Sequence, residues 1–522
     1  MTGPMAASMQ DYALTVDRFL VHAAKWHGSV EVVSAEPGGV TRKTYAETLD
    51  RSRRLSGALL GLGLRPGDRI GTLAWNTRHH LEMWYGTMGV GMICHTLNPR
   101  LTIDHLALMI DQAQDRILCI GAGLTDMGRA LTARCPSLEK LIILDGDPVE
   151  PGDIDVEALI AGSEDRPIWG DFDEQTPAGL CFTSGTTGAP KGVLYTHRSN
   201  YLNTIRSLQA DCLALTRQDV ALVTVPMFHA NAWGFPFSAP SVGSTLVLPG
   251  RMMDGASLAR LIQDEGVTVT AGVPTVWIGL LDHVEANDLE LPTLQRIILG
   301  GAGAPESLIR RMEDRLGVRV QTSWGMTELS PMGTLSPPAE PAVASGRPAM
   351  GLDMLLTDAT GAPLPDQRNR VGHLKVKGPS VARQYYDAAS PAIDADGWFD
   401  TGDLAIIDDS GALTLAGRSK DLIKSGGEWI NPVEIEDIIG SDPAIGLVAV
   451  IGRFDPKWGE RPLLVVEPRQ GHAVEDGALL KSLKGRVADW WIPDRVVQVG
   501  SMPLASTGKI DKTALRALYG AA

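Results

Sequence analysis

The chain has 522 residues, of which 44% are hydrophobic and 21% charged, with 62 acidic and 47 basic residues. This composition excludes a disordered chain, a collagen-like chain and a coiled-coil rod, and the length predicts two to four domains of roughly 100–200 residues each. The net charge of −15, without any long run of lysine or arginine, disfavours binding to nucleic acid or to an anionic membrane as the main function, since both rely on clustered cations.

The first ~400 residues alternate helical and strand patterns, which predicts an α/β architecture with mostly parallel sheets. Helical periodicity occurs at residues 44–62, 79–90 and 103–112, and strand-like apolar runs occur at residues 69–75, 92–97, 115–120 and 138–144. Residues 147–173 are acidic and rich in turn formers, so we expect a surface connection there. The alternation resumes at Leu180 and continues to about Gly325.

Two further changes of pattern follow. From Met350 to Leu415, short strand-like runs are separated by turns, with strands expected at residues 354–357, 372–376 and 412–415. After Gly417, helices are expected at residues 433–440 and 478–488, and strands at 447–452, 461–467 and 495–499. We therefore predict a fold of the α/β class, with a large N-terminal domain (residues 1–417) of α/β sheet subdomains plus a β-rich subdomain. A small α+β C-terminal domain (residues 418–522) completes it.

Residues 221–250 contain no aspartate, glutamate, lysine or arginine. Prolines, serines, His229 and Asn231 interrupt this apolar stretch, whereas a membrane-spanning helix needs about 20 mainly apolar residues without such interruptions. We therefore expect buried protein interior here, such as the wall of an apolar pocket, and no integral membrane segment.

The cysteines indicate the redox environment. They number five and form no C-x-x-C pair, so neither a zinc site nor a disulfide framework is indicated, and a reducing compartment fits best. The first ten residues lack the cationic and apolar regions of a signal peptide. We therefore expect a cytoplasmic protein.

The chemically most informative segment is TSGTTGAPKG, residues 183–192, between a strand-like run at 178–182 and a helix expected to begin near Arg198. Glycines let backbone N–H groups approach anionic oxygens, and hydroxyls and a lysine add donors, so the segment has the composition of a phosphate-binding loop. It does not fit the G-x-x-x-x-G-K-[ST] spacing of a Walker A loop. A flexible surface turn is the structural alternative, but it does not account for the ordered Pro-Lys-Gly ending.

This loop resembles the signature of the adenylate-forming superfamily, which includes acyl-CoA synthetases, firefly-type luciferases and peptide-synthetase adenylation domains. Five other segments match the family's motifs in order and spacing: GGAGAP at 300–305, WGMTE at 324–328, TGD at 401–403, GRSKDLIK at 417–424 and PLASTGK at 503–509. The resemblance covers nearly the whole chain. It implies an α/β fold with a small mobile C-terminal domain, ATP with Mg²⁺ as the nucleotide substrate, and coenzyme A as the acceptor.

By resemblance, the motif residues bind ATP and the AMP part of the intermediate. Asp403 and Arg418 take the ribose and Trp324 lies near the adenine, at a position where most relatives carry tyrosine. The nucleotide-binding residues implied in this way are Thr183, Ser184, Gly185, Thr186, Thr187, Gly188, Lys191, Gly301, Ala302, Gly303, Ser323, Trp324, Gly325, Met326, Thr327, Glu328, Asp403, Arg418, Lys424 and Lys509.

Some of these residues have side chains suited to phosphoryl chemistry. Glu328 offers the carboxylate oxygens that Mg²⁺ prefers beside substrate phosphates, and Thr183 is expected to help at the metal from the phosphate side. In the family, the lysine matching Lys509 reaches the α-phosphate and the substrate carboxylate, where an ammonium stabilises the charge that develops on phosphorus. The resemblance implies Lys509, Glu328, Thr183 and Lys420 as the catalytic residues.

For Lys420 the resemblance implies a mechanical role. In relatives the small domain rotates between adenylation of the acid and transfer of the acyl group to a thiol, and the hinge residue corresponds to Lys420. Lys509 faces the site in the first step, and the loop of Gly426, Gly427, Glu428 and Trp429 is expected to face it in the second. The two glycines would let the narrow pantetheine arm of coenzyme A pass. Without the motif, Lys420 would be an ordinary solvated linker lysine.

The acyl site is expected in the charge-free stretch. Its segment PMFHANAWGFP, residues 226–236, closely resembles that of medium- and long-chain fatty acyl-CoA synthetases and of methylmercaptopropionate-CoA ligases. In the fatty-acid branch, the tryptophan matching Trp233 gates the acyl tunnel, although core packing explains a buried tryptophan equally well. The expected acyl-binding residues are His229, Trp233, Val273, Trp277 and Gly300. Amino-acid-selecting domains place an aspartate in this region, which argues against an amino-acid substrate here.

We therefore predict an AMP-forming acyl-CoA ligase for a fatty acid or a short thioether acid such as methylmercaptopropionate. A luciferase-like oxygenase acting through an acyl-adenylate is the alternative enzyme. A nucleotide sensor is the non-enzymatic alternative, but it would need no group for transition-state charge such as Lys509. The sequence does not determine the chain length of the acid. It also does not determine the oligomeric state, and a homodimer is one possibility.

Overall fold

The computed structural model describes residues 9–36, 38–146, 150–183, 190–342, 344–426, 428–505 and 508–521. Two large, mainly parallel sheets with flanking helices, one antiparallel sheet and one smaller sheet make up the fold. This confirms the predicted α/β class, with a β-rich subdomain and a small α+β unit at the C-terminal end.

The helices position the loops of the site. Those of the described residues are α1 (Asp17–Trp26), α2 (Tyr45–Gly61), α3 (Arg78–Met88), α4 (Ile103–Ala113), α5 (Thr125–Arg134), α6 (Val156–Ala161), α7 (His197–Ser207), α8 (Phe235–Val242), α9 (Gly255–Glu265), α10 (Pro274–Ala286), α11 (Glu306–Leu316), α12 (Pro432–Gly440), α13 (Asp476–Ser482) and α14 (Lys512–Tyr519). Short 3₁₀ turns lie at Ala230–Gly234, Thr327–Leu329 and Asp489–Trp491.

The strands are short, as is usual in α/β folds. Those of the described residues are β1 (Glu31–Glu36), β2 (Gly39–Thr44), β3 (Arg69–Leu73), β4 (Ile93–Thr96), β5 (Ile117–Ile120), β6 (Lys140–Ile143), β7 (Ile154–Asp155), β8 (Pro177–Thr183), β9 (Lys191–Thr196), β10 (Val220–Val223), β11 (Thr245–Leu248), β12 (Val269–Gly272), β13 (Arg296–Leu299), β14 (Arg319–Gly325), β15 (Met332–Leu335), β16 (Arg347–Pro348), β17 (Asp353–Thr357), β18 (Gly372–Lys377), β19 (Phe399–Ile407), β20 (Leu413–Arg418), β21 (Ile423–Ser425), β22 (Glu428–Ile430), β23 (Ile445–Asp455), β24 (Gly459–Pro468) and β25 (Arg495–Gln498).

Two large sheets form most of the N-terminal part. One has the strand order β7-β6-β5-β3-β4-β8-β9 and is parallel except for the β8–β9 hairpin. The other has the order β16-β15-β14-β13-β12-β10-β11-β1-β2, with a parallel centre and antiparallel strands towards both edges. In open α/β sheets ligands bind beyond the carboxyl ends of the strands, which here carry the predicted nucleotide loops after β8 and β13.

The β-rich subdomain is the antiparallel sheet β17-β18-β19-β20, in which Asp403 on β19 lies opposite Arg418 on β20. The small unit is built on β22-β21-β24-β23, with β25 added beside β24. Sheet membership therefore changes between Arg418 and Ile423. The domain limits at 417 and 418 stay predictions, although they fall at this change.

Local capping explains where helices beside the site begin. At α7, Thr196 accepts a hydrogen bond from the Ser199 N–H, and Ser199 accepts one from the Thr196 N–H. The same reciprocal pair occurs between Thr44 and Glu47 at α2. Caps of this kind stabilise a protein by roughly 1 kcal/mol each. The α7 cap fixes the helix start directly after the hairpin expected to hold phosphates.

Two expectations about secondary structure were incomplete. The helix predicted at residues 478–488 is α13, which ends at Ser482, because the chain turns through Gly485 at φ +74°. The segment 147–173, expected as a surface connection, contains β7 and α6. Its Trp169 is buried against Gly89, where a Cβ atom would lie 2.4 Å from the indole ring, so this segment contributes to the core. Residues 147–149 lie outside the described residues.

A buried ion-pair network lies on the face of α3. Burial alone would lower the pKa of His79, but hydrogen bonds to Asp145 (2.8 Å) and Glu157 (2.7 Å) raise it to about 9. Glu36, His79 and Asp145 are close enough together to hold a metal ion. However, both ring nitrogens of His79 face carboxylates and Arg78 pairs with Glu36 at 3.0 Å, so the cluster is balanced as a set of ion pairs.

The charge-free residues 221–250 form β10, the 3₁₀ turn, α8 and β11, and most of their side chains are buried, as predicted. In the part of the chain that the structure describes, no helix combines the length and the apolar character needed to cross a membrane.

The small unit rests on the large part through contacts close to the predicted site. Gly440 at the end of α12 packs against Pro305, and its carbonyl accepts a hydrogen bond from Ser307 (3.3 Å) at the start of α11. Farther along the chain, the Gly508 carbonyl accepts one from Thr275 (3.3 Å) on α10. These contacts bring the loop that carries Lys509 over the carboxyl ends of β12 and β13.

Candidate active site

The predicted phosphate-binding segment, residues 183–192, begins at the end of β8 and ends at the start of β9. Thr183 and Lys191 are paired in register at the two ends of the turn. The Lys191 ammonium lies 4.9 Å from the centroid of the Tyr385 ring. Ser184, Gly185, Thr186, Thr187 and Gly188 lie outside the described residues. Lys191, close to the C-terminal end of the predicted loop, therefore lies next to Tyr385.

Glu328 lies in the 3₁₀ turn that follows β14. Its side chain is almost completely buried, with 6% of the residue exposed, and one carboxylate oxygen accepts a hydrogen bond from the Tyr385 hydroxyl at 2.7 Å. The turn is fixed on the other side because the Tyr195 hydroxyl donates to the Thr327 carbonyl (2.9 Å). Burial together with the Glu328 charge raises the pKa of Tyr385. Tyr385 therefore stays protonated as a donor to this carboxylate.

A buried arginine holds the same turn from behind. Arg206 on α7 donates hydrogen bonds to the carbonyl oxygens of Leu329 and Met332, and to the side chain of Asn203 at 3.0 Å. Burial lowers the pKa of Arg206 to about 10, so the guanidinium is still charged at neutral pH. Because its main acceptors are backbone carbonyls of the turn that carries Glu328, Arg206 stabilises the position of that turn.

Asp403 on β19 is the centre of a second buried group. The indole N–H of Trp324 donates to Asp403 Oδ2 at 2.9 Å, and Arg418 Nε lies 3.2 Å from Oδ1. Burial raises the pKa of Asp403, whereas the Arg418 charge and the Trp324 N–H act in the opposite direction. The structure thus brings together the three residues expected around the adenosine.

Lys509 reaches this group from the small unit. A Cβ atom on Gly301 would lie 3.5 Å from Lys509 Cε, so the lysine stem passes directly over the glycine. Burial lowers the pKa of the Lys509 ammonium to about 8; the nearby Arg418 charge acts in the same direction and Asp403 opposes it. An ammonium with such a pKa is mostly charged at neutral pH and is available to an anionic substrate.

Trp233 sits on the same glycine loop. Ala230, Asn231, Ala232 and Trp233 all have positive φ angles between 43° and 54°, a left-handed turn that costs roughly 1–2 kcal/mol per residue without glycine. Buried Asn231 anchors the turn through a 3.0 Å hydrogen bond to Asn200 on α7. The turn directs the Trp233 ring onto the glycine loop after β13, where it lies 3.0 Å from the Cβ position of Gly300 and 3.5 Å from that of Gly301.

Two further predicted residues lie against the same glycines as the Trp233 ring. Val273 is 3.1 Å from the Cβ position of Gly301, and Ser323 is 2.2 Å from that of Gly300, so neither glycine leaves room for a side chain. His229 precedes the left-handed turn, and burial, with the Lys509 charge as a second cause, lowers its pKa to about 4. His229 is therefore neutral at physiological pH.

The structure does not bring Trp277 to this group. Its ring is 1% exposed and packs on α10 with Leu280, Leu281 and Ile297, behind Gly272. The role of Trp277 in the acyl wall stays a prediction.

The loops after β13 and β14 contribute backbone surface. Ala302 and Gly303 are exposed, and Met326 is half-buried. The Cβ position of Gly325 lies 2.4 Å from the Pro331 carbonyl oxygen, so a larger residue would displace the turn that carries Glu328.

The described residues of the loop expected at coenzyme A are exposed to solvent. Glu428 is exposed and Trp429 is 52% exposed, while the Gly426 N–H donates to the Trp458 carbonyl at 2.7 Å. The ammonium of Lys424 lies 5.4 Å from the Trp429 ring centroid, and its predicted role in nucleotide binding stays a prediction. Gly427 lies outside the described residues, and Lys420 is in the connection between β20 and β21.

Three residues of the site were missed at the sequence level: Tyr385, Tyr195 and Arg206. Tyr385 is 57 positions from Glu328, Tyr195 is 132 positions from Thr327, and Arg206 is more than 100 positions from its acceptors. Their local sequences contain no signal for these contacts.

Comparison with known proteins agrees with this geometry. Residues 19–386 match the AMP-binding enzyme family, and residues 434–509 match the AMP-binding enzyme C-terminal domain. A medium-chain-fatty-acid–CoA ligase of Ectopseudomonas oleovorans is 41% identical over 99% of this chain and 98% of its own length. A 3-methylmercaptopropionyl-CoA ligase of Ruegeria pomeroyi is also 41% identical, over 98% of each chain.

Among solved structures, ATP-bound MatB from Rhodopseudomonas palustris is similar, with a TM-score of 0.86 and 26% identity over 97% of this chain and 99% of that one. Family matches over both parts of the chain, and relatives of more than 40% identity along its whole length, leave one conclusion. The chain belongs to the AMP-binding enzyme family and is an AMP-forming acyl-CoA ligase, which adenylates a carboxylic acid with ATP and then transfers the acyl group to coenzyme A.

Proposed function

We propose that the acid activated by this ligase has an uncharged, unbranched tail, as in a medium-chain fatty acid or a short thioether acid. The observation that carries this is the apolar surface that Val273 and Trp233, the latter from the charge-free residues 221–250, form on the Gly300–Gly301 loop. The names of the two relatives at 41% identity, a medium-chain and a methylmercaptopropionyl ligase, point to the same class of acid. Nothing in the site or the comparisons supports a luciferase-like oxygenase.

We further propose that Glu328 and Thr183 hold Mg²⁺ with the ATP phosphates. Tyr385 occupies one Glu328 oxygen, and within the described residues the other makes no hydrogen bond, so a hard oxygen donor is available. A bound Mg²⁺ would neutralise phosphate charge. Tyr385 and Arg206 would keep the carboxylate oriented during this step, and Lys191 at the hairpin end would add a cation on the phosphate side.

Lys509 is proposed as the catalytic cation of adenylation. The acid's carboxylate attacks the α-phosphorus, the bond to the pyrophosphate oxygen breaks, and the acyl-adenylate remains. Negative charge increases around phosphorus during this attack, and the ammonium of Lys509, next to the Trp233–Gly301 surface, stabilises it electrostatically. Neutral His229 does not compete for the anionic carboxylate, whose placement is left to Lys509.

The second half-reaction is proposed to use another face of the small unit. The thiol of coenzyme A attacks the acyl carbon, and AMP leaves. The loop of residues 426–429, of which Gly426, Glu428 and Trp429 are exposed, would then face the site after rotation about Lys420, with Gly426 leaving space for the pantetheine arm.

A panel of acids tests the substrate class. We expect pyrophosphate release to be fastest with linear acids of short to medium length, and slow with amino acids and dicarboxylates. Trp233→Ala should change the ranking of acids by chain length about tenfold, because the ring limits the space beside Gly300, and change the KM for ATP less than threefold. Loss of ATP binding with an unchanged ranking of acids would contradict the placement of Trp233 in the acyl wall.

A further inference from the structure

The bond between Trp324 and Asp403 is a feature that the adenylation chemistry does not require. Trp324 is 6% exposed and Asp403 is 4% exposed, and the indole N–H points at Oδ2 with a distance of 2.9 Å. A buried tryptophan usually pairs its N–H with some acceptor. Here the acceptor is a buried carboxylate 79 positions away in the chain, which makes the bond charge-assisted and long-range.

The indole ring cannot move freely. A Cβ atom on Gly333 would lie 2.4 Å from Trp324 Cε3, so the glycine is required for the ring to lie flat against β15. Trp324 belongs to the same buried hydrophobic cluster as Leu352 and Phe399 of the β-rich subdomain. The N–H therefore has a fixed position, and it fixes the carboxylate of Asp403 in turn.

The remaining acceptor sites of Asp403 are few. A carboxylate has about four lone-pair positions on its two oxygens. Trp324 occupies one on Oδ2, and Arg418 faces one on Oδ1 at 3.2 Å. About one acceptor position per oxygen is left, which matches two adjacent hydroxyl donors.

We propose that Trp324 is a positioning residue for the ribose of ATP: its N–H orients the Asp403 carboxylate so that the two remaining acceptor positions face the 2′- and 3′-hydroxyls. This rests on the proposed function and on the ribose-binding role that the family resemblance implies for Asp403. It assigns to the indole a task separate from contact with the adenine. Its consequence is that nucleotide selectivity, rather than turnover, depends on the N–H of Trp324.

Trp324→Phe keeps an aromatic ring and removes the donor. We expect the KM for ATP to rise about tenfold, as for loss of one hydrogen bond to a charged group, with kcat within about threefold. The preference for ATP over 2′-deoxy-ATP is measured as the ratio of their kcat/KM values and should fall about fivefold. The reason is that ATP binds the Asp403 carboxylate through both ribose hydroxyls and therefore depends more on the orientation of that carboxylate than 2′-deoxy-ATP does. If Trp324 serves only ring packing, both nucleotides will weaken equally, and that result would overturn the proposal.

Asp403→Asn separates this inference from the proposed function. It should remove most of the preference for ATP over 2′-deoxy-ATP. If it does not, the ribose role of Asp403 fails; if it does while Trp324→Phe leaves the preference intact, only the role of Trp324 fails.

A spectroscopic measurement covers the case in which Trp324→Phe does not fold. In protein carrying ¹⁵N-labelled tryptophan, Asp403→Asn should move one indole N–H resonance upfield, since a charged acceptor is replaced by a neutral one, and AMP should shift the same resonance in the wild type. Unchanged indole resonances in Asp403→Asn would contradict the bond itself.

Discussion

The small C-terminal unit carries two functional loops in opposite environments. Lys509 is packed against Gly301, with a pKa lowered by burial to about 8, whereas Trp429 on the other loop is 52% exposed to solvent. Both belong to a unit that contacts the large part through Gly440 and Gly508. Under the proposed function, one orientation of this unit presents only one of the two loops to the adenylate, and in this structure the Lys509 loop is the one packed against the large part.

The largest expected effect separates the two loops. Lys509→Ala should slow acyl-adenylate formation by about 10³-fold, because a preorganised charge at the reacting phosphate is lost. Thioester formation from supplied acyl-adenylate and coenzyme A should stay within about threefold of wild type. The two half-reactions are followed by pyrophosphate release and by loss of free thiol. Equal losses in both would mean that Lys509 also supports the second step, and the comparison between the loops would fail.

Glu328 belongs to the large part of the molecule, against which the small unit is proposed to rotate. Glu328→Gln keeps the shape and removes the charge, so we expect adenylation to fall about 10²-fold and the concentration of Mg²⁺ needed for half-maximal rate to rise. Tyr385→Phe is the matched control: it removes only the donor to the carboxylate and should cost about fivefold. Unchanged kinetics of Glu328→Gln at limiting Mg²⁺ would remove Glu328 from the metal site.

The hinge is tested by restricting it. Lys420→Pro fixes φ between β20 and β21, so adenylation should stay within about threefold while thioester formation falls at least tenfold. Lys420→Ala, which leaves the backbone free, is the control and should affect the second step less than the proline does. If alanine and proline slow it equally, the side chain and not rotation is what matters.

The pH dependence gives the smallest effect. The Lys509 pKa of about 8 means that the ammonium is charged below this value and neutral above it. The kcat/KM for adenylation should therefore decline as the pH rises through about 8. One pH unit above the Lys509 pKa, about one tenth of the lysine is still charged, so kcat/KM should fall to about one tenth of its value at low pH. Lys509→Arg, which stays charged, should lose that limb. A limb near pH 8 that persists in the arginine variant would belong to another group.

Much of the fold could be predicted from sequence because its signals are local. The alternation of strands and helices, the strand that precedes the loop of residues 183–192, and the change of pattern after Gly417 all depend on neighbours in the chain. Helix α13 ended early because one glycine turned the chain, which periodicity over the following residues did not reveal.

The parts of the site that were missed depend on residues far apart in sequence. The hydrogen bond from Tyr385 to Glu328 and the hydrogen bond from Arg206 to the Leu329 carbonyl form only when segments distant in sequence meet. The left-handed turn at Ala230–Trp233 was also invisible, since four consecutive non-glycine residues with positive φ run against local preference. Trp277 is buried in a hydrophobic core cluster, and its predicted place in the acyl site stays a prediction.

The central claim is that the small unit rotates, so that first the Lys509 loop and then the loop of residues 426–429 faces the site. A distance measurement tests this claim most directly. The five native cysteines are buried and burial raises their thiol pKa values, so cysteines introduced at exposed Phe454 and exposed Ile168 can carry spin labels selectively. We expect one distance with ATP and a non-reactive acid analogue, and a second, different distance when a stable acyl-adenylate analogue and coenzyme A are added. A single distance unchanged by coenzyme A would contradict the alternation of the two loops.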